Sequence, residues 1–259
     1  IGWFPLELSE GAADSPLASH QPAKECMTSR FIDIHPHIIS ADTERYPRTP
    51  LFGVQSDWSK ERPATLDGLV TAMDQAGVDK AAVVQASTCY GYDNAYLADA
   101  IRQYPRRLTG VGSVDLLQPD APGRIRHWVD RGISGLRLFT GGSTAAFDPT
   151  SLDDPRVFSS WELCGELGLS ICIQTDPSGL VQVAGLARRF PRVRIVLDHL
   201  GRPDVTDGPP YKRAASLFAL APFENIFLKL SPRIFADVKR GEASASSFFP
   251  RLTEVFGAS

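Results

Sequence analysis

Cysteine, methionine and histidine are scarce in this chain of 259 residues, with four Cys, two Met and five His. Cys26, Cys89, Cys164 and Cys172 make no CxxC pair, which argues against a zinc knuckle. So little cysteine in so long a chain fits a reducing compartment, and the expected location is the cytoplasm. No apolar run reaches the roughly 18–20 residues that a membrane helix needs. The N-terminal stretch lacks a basic segment followed by an apolar one, so it is not read as a secretory signal. Neither sign of charge dominates. A net charge of −3 gives no reason to expect nucleic acid or an acidic membrane surface, although a local basic site for an anionic ligand stays open. No GxGxxG follows the first apolar run, which weakens a dinucleotide-binding reading. There is no GxSxG elbow, and Cys89 has no identifiable partner histidine, so a Ser or Cys nucleophile hydrolase is poorly supported.

What is present is ordinary globular composition, 43% hydrophobic and 22% charged, in a chain long enough to bury a sizeable core. Met27 precedes the first strand-like run. Residues 1–26 are expected to be an extension outside the fold, with a short arm packed through Trp3 and Phe4 as the alternative. The folding domain is then 27–259.

Within it, short β-rich runs alternate with helical segments. The strand candidates span 30–35, 80–87, 108–114, 133–139, 169–175, 193–199 and 225–231. Most are apolar almost throughout, as expected of strands covered on both faces. Between them lie helices that stop at Gly77, Gly132 and Gly168, and one that starts at Asp93 or Asn94. Such alternation predicts a parallel sheet, and the fold expected is α/β, a (β/α)8 TIM barrel. Seven units are visible where a barrel needs eight, so the barrel is expected to be truncated before strand eight.

Barrel active sites lie at the C-terminal ends of the strands, and strand side chains alternate faces. In "FIDIHPHIIS" (31–40), Asp33, His35 and His37 share a face, and the two imidazoles reach the mouth. They are either metal ligands or bare acid–base groups. Asp33, one step deeper, is expected to orient His35 from below. His199 in "LDHLGRPD" ends the sixth strand and faces the mouth. Asp198 has the opposite parity and is expected to point to the helix layer. Arg137, in the middle of strand four, suits an anionic substrate or a buried ion pair. Arg233 and Lys229, at strand seven, are further candidates for substrate binding, as are Ser87 and Tyr92 after strand two. Arg202 reads better as a loop salt bridge. Gly141 and Gly142 form a weak anion-nest signal.

Together, "DIHPH", "YGYDN", "GLRL" and "LDHLGRPD" resemble the amidohydrolase-related family of the amidohydrolase superfamily. The likeness runs from about residue 30 to the end. It is greatest to the lactonases of aromatic-compound breakdown, the 4-sulfomuconolactone and 2-pyrone-4,6-dicarboxylate hydrolases. "RYPRTPLFGVQSDWSKERPAT" (45–65) resembles the former in particular. The resemblance implies His35, His37 and His199 at the active site, plus an acid ending strand eight, a position this sequence does not reach. It implies a hydrolase acting on a carboxylic ester, opening a small muconolactone- or pyrone-type ring that carries carboxylate or sulfonate. Metal-binding members of the superfamily carry a histidine at strand five, where this chain has Gln174. The cofactor expectation is therefore either none or one Zn2+ held by His35, His37 and His199. A metal-dependent decarboxylase or hydratase, and an inactive truncated barrel, are the alternatives. The expected partner is a small anionic lactone, with no nucleic acid and no membrane, and a homo-oligomer stays open.

Overall fold

The computed structural model describes residues 31–257. Residues 1–26, the expected extension, lie outside the described residues. Seven parallel strands run in sequential order: β1 (Phe31–Asp33), β2 (Val78–Val84), β3 (Leu108–Gly112), β4 (Ile133–Phe139), β5 (Ser170–Gln174), β6 (Ile195–Leu197) and β7 (Ile226–Leu228). Each falls within or beside a run expected from the sequence. Two short helices, α1 (Asp57–Glu61) and α3 (Ser87–Tyr90), stand beside α2 (Leu66–Ala76) and α4 (Ala95–Gln103). The later connections carry α5 (Ala121–Val129), α6 (Phe158–Leu167), α7 (Leu180–Arg189), α8 (Ala215–Phe218), α9 (Pro232–Asp237) and α10 (Ala245–Phe256). Helices α2 and α6 stop as expected, on Gly77 at φ 66° and Gly168 at φ 67°, a left-handed conformation that costs glycine little.

The inner strands of the sheet are largely apolar on both faces because both are covered. Their outer faces pack on the helices through Leu136, Ile171, Ile173 and Leu197, with Trp161 of α6 in the same cluster. The inner faces meet in a small cluster of Val84, Val111 and Cys172, flanked by Ala82 and Val196. Register aligns Arg137 with Cys172, Cys172 with Val196 and Val196 with Phe227, so these four share the inner row.

The sheet curls strongly. Lys229, just past β7, touches His35, just past β1, at 3.2 Å, although the two lie at opposite edges of the strand order. This is the curvature of a (β/α) barrel. Among the described residues β1 and β7 are not paired with each other and no eighth strand is present. Ile32 and Ile34 near one edge and Phe227 and Leu230 near the other are each more than two-fifths exposed. Among the described residues no helix is long and apolar enough to cross a membrane.

Two expectations about facing need correction. β6 ends at Leu197, and His199 and Leu200 take left-handed backbone conformations, with φ 54° and 57°. The two-residue alternation therefore stops before His199. Asp198 keeps the parity of Val196 and turns inward, where it is fully buried, instead of pointing to the helix layer. Asp33 does not support the His35 ring. Its carboxylate accepts from the His35 backbone N–H at 2.9 Å and ties the main chain.

Candidate active site

The three histidines converge at the C-terminal ends of the strands. The His35 ring lies 4.9 Å from the His37 ring, edge to face, and 5.0 Å from that of His199. The bends that follow β1 and β6 bring them there. His37 stacks on Trp58 of α1 at 5.1 Å. Its Nδ1 sits 2.7 Å from the Val84 carbonyl oxygen, which can only accept, so the proton is on Nδ1 and Nε2 keeps its lone pair. His199 Nδ1 pairs with the Ser231 hydroxyl at 2.8 Å. Burial pushes the pKa of His37 and of His199 down to about 4. It lowers that of His35 further, against the pull of Asp198. All three imidazoles are neutral at neutral pH.

Beneath them lies a buried charge cluster. Asp198 accepts from Arg137 Nε at 3.0 Å and pairs with Lys229 Nζ at 2.9 Å. Burial alone would raise the carboxyl pKa, but the two cations outweigh it and hold Asp198 ionised. Arg137 also donates to Gln174, whose amide in turn donates to the Gly141 carbonyl at 2.9 Å. Two buried cations therefore share one carboxylate, and the cluster keeps a net positive charge. Unpaired buried charge is costly, so such a site favours an anionic ligand.

The other candidates divide. Tyr92 lines a cavity of about 70 Å³ with Arg137, Ser113, Phe139 and Thr140. Ser87 is buried and its hydroxyl pairs with Ser113 at 3.0 Å. Arg233 is half exposed and reaches Asp237 on its own helix at 3.5 Å. Arg202 makes no ion pair among the described residues, contrary to the loop salt bridge expected. Its guanidinium stacks over Phe147 at 4.8 Å, and its Nε is buried without a hydrogen-bond partner. It also lies beside the tip of the Gly141–Gly142 turn: a Cβ on Gly142 would come within 3.8 Å of the guanidinium and 2.9 Å of the Gln174 amide nitrogen. An Arg after a DH motif carries no sequence signal for this. The signal is the unpaired buried nitrogen, which only the structure shows.

Among the described residues no three His, Cys, Asp or Glu side chains are grouped to hold a metal ion. His37 has a free Nε2 lone pair. Asp198, the one carboxylate paired with this cluster among the described residues, is engaged by Arg137 and Lys229, and the end of β5 offers the amide of Gln174. Of the ligands zinc takes, the described residues offer imidazoles here, and these are not grouped to hold an ion.

Convergent imidazoles at the C-terminal ends of parallel strands are the arrangement of a (β/α) barrel enzyme. The chain belongs to the amidohydrolase family: the family profile described as Amidohydrolase matches residues 32–258. It is 28% identical over 208 residues to the L-fucono-1,5-lactonase of Burkholderia ambifaria, covering 79% of this chain and 68% of that one. It is 28% identical over 205 residues to the 2-pyrone-4,6-dicarboxylate hydrolase of Comamonas testosteroni, covering 77% and 61%. The chain thus spans about two thirds of the length of these curated relatives. An amidohydrolase from Burkholderia multivorans, solved with bound zinc, shares the fold with a TM-score of 0.66 at 20% identity, covering 88% of this chain and 81% of that one.

Proposed function

We propose that this protein hydrolyses a small lactone carrying anionic groups. The observation that carries the reading is the pairing of three neutral imidazoles with a buried cation cluster in net positive excess at the mouth of an amidohydrolase barrel. Lactonases among its relatives support the same chemistry. Water adds to the lactone carbonyl carbon, the carbonyl oxygen becomes an oxyanion, and the ring C–O bond then breaks. The ring oxygen takes up a proton and leaves as the hydroxyl of a hydroxy acid. His37, with its proton fixed on Nδ1, offers the lone pair of Nε2 to the attacking water. Imidazole N–H groups stabilise the oxyanion. Arg202 is free to grip a carboxylate or sulfonate arm, and Arg137 and Lys229 supply positive potential from below. The reading needs no metal, and the engagement of Asp198 by two cations supports that. The free buried thiols of Cys89, Cys164 and Cys172 agree with a reducing compartment such as the cytoplasm.

The test is a pH-stat assay on a panel of carboxylated and neutral five- and six-membered lactones, with the protein stripped by chelator. Anionic lactones are expected to open fastest, and His37→Asn to lose about 100-fold or more in kcat. Undiminished turnover in His37→Asn, or a preference for neutral lactones, would reject the assignment.

A further inference from the structure

Lys229 is 2% exposed, and lysines are almost never buried that deeply unless paired. Its Nζ lies 2.9 Å from Asp198 Oδ1, 3.2 Å from His35 Nδ1 and 3.6 Å from Cys172 Sγ. The Lys229 ammonium, set against the Asp198 carboxylate, has three donor protons and no lone pair. At 3.2 Å the His35 Nδ1 can only accept. The single proton of the neutral ring is then on Nε2. His37 is set the opposite way, because its Nδ1 faces a carbonyl oxygen at 2.7 Å. Two rings 4.9 Å apart are thus held in opposite tautomers by opposite partners.

We propose that Lys229 is a positioning residue that locks His35 in the Nε2–H form, making His35 the hydrogen-bond donor and His37 the proton acceptor of the pair. This deepens the lactone-opening reading and rests on it only for the use made of donor and acceptor. In that reaction the Nε2–H of His35 donates to the lactone carbonyl oxygen and strengthens its hold as the oxyanion forms, while His37 takes the water proton. The same lock disfavours a divalent cation. A metal on His35 Nε2 needs a lone pair there, and the tautomer that offers one turns its Nδ1–H onto an ammonium. The lock is a matter of which groups face Nδ1, and these are Lys229 at 3.2 Å and, further off, Asp198 at 3.7 Å.

Long-range 1H–15N NMR of protein labelled at histidine nitrogen reads the tautomers directly, with His35→Gln assigning the ring. The wild-type protein is expected to show Nε2–H at His35 and Nδ1–H at His37. Lys229→Met, close in volume and without a donor, is expected to release His35 into the other or mixed tautomers. It should also tighten zinc binding by about tenfold or more in competition with a chromophoric chelator. Nδ1–H at His35 in the wild type overturns the proposal, as does an unchanged His35 signature or unchanged zinc affinity in the variant. Should Lys229→Met fail to fold, the wild-type spectrum alone decides. A locked tautomer in a protein that opens no lactone would leave the lock standing and remove the lactone reading.

Discussion

Neutralising Asp198 is the sharpest perturbation the charge cluster offers. The carboxylate is fully buried and is the counter-charge of both Arg137 and Lys229, which are 5% and 2% exposed. Asp198→Asn keeps the volume, so no cavity term enters. What changes is charge. At about 3 Å and an effective dielectric of about 20, each ion pair carries on the order of 5 kcal/mol of attraction, most of it offset by desolvation in the intact site. Breaking a buried pair while leaving the partner in place costs about 3–5 kcal/mol, and here two partners are left. Arg137 keeps its bond to Gln174 and Lys229 keeps His35, which softens the loss. The expected cost is about 4 kcal/mol, against a total stability of about 5–15 kcal/mol for a domain. Urea unfolding followed by circular dichroism measures it. Adding Lys229→Met removes one stranded cation and should return at least about 1 kcal/mol relative to Asp198→Asn alone. A cost below about 1 kcal/mol, or a double variant as unstable as the sum of its parts, would refute the view that Asp198 holds this cluster together.

Three further outcomes are expected. The pKa values of His37 and His199 fall from 6.5 in the unfolded chain to about 4 when folded, so between those limits the unfolded chain binds more protons. Stability should be complete above about pH 6.5 and drop by about 1.4 kcal/mol per imidazole per unit as pH falls towards 4, and urea midpoints that do not move between pH 7 and 5 would contradict this. Gly141 has φ 154°, and a Cβ there would sit 2.5 Å from the Ala146 carbonyl oxygen and 2.6 Å from Phe147 Cα. Gly141→Ala should cost about 1–3 kcal/mol in urea unfolding and displace the turn beside Gln174, whereas Gly123→Ala, with open space around it and an ordinary φ, should cost nothing. Arg202→Ala should raise KM for a carboxylated lactone about tenfold or more and leave a neutral lactone unaffected, a split that steady-state kinetics on the two substrates will reveal.

The barrel was legible in the chain because its strands advertise themselves. A strand covered on both faces must be apolar almost throughout, and seven such runs spaced by helical segments admit few other sheets. His35, His37 and His199 were legible for the same reason: each follows such a run, and barrel strands end at the mouth. The alternation rule then failed at a definite place. It assumes extended backbone, and at His199 and Leu200 the chain turns left-handed, so the neighbours Asp198 and His199 both lie against His35.

By itself, then, the sequence determined the parallel (β/α) architecture, the strand ends and the histidines on them, since these follow from local hydrophobic pattern and residue type. Tertiary structure alone decided the partners. Lys229 and His35 are 194 residues apart and meet only because the sheet curls. Asp198 is shared by two cations from β4 and the end of β7, and Arg202 makes no ion pair among the described residues. Local periodicity fixes which way a side chain leaves a strand, but a proton's position depends on what stands opposite it, and curvature brings that group from the far edge of the sheet.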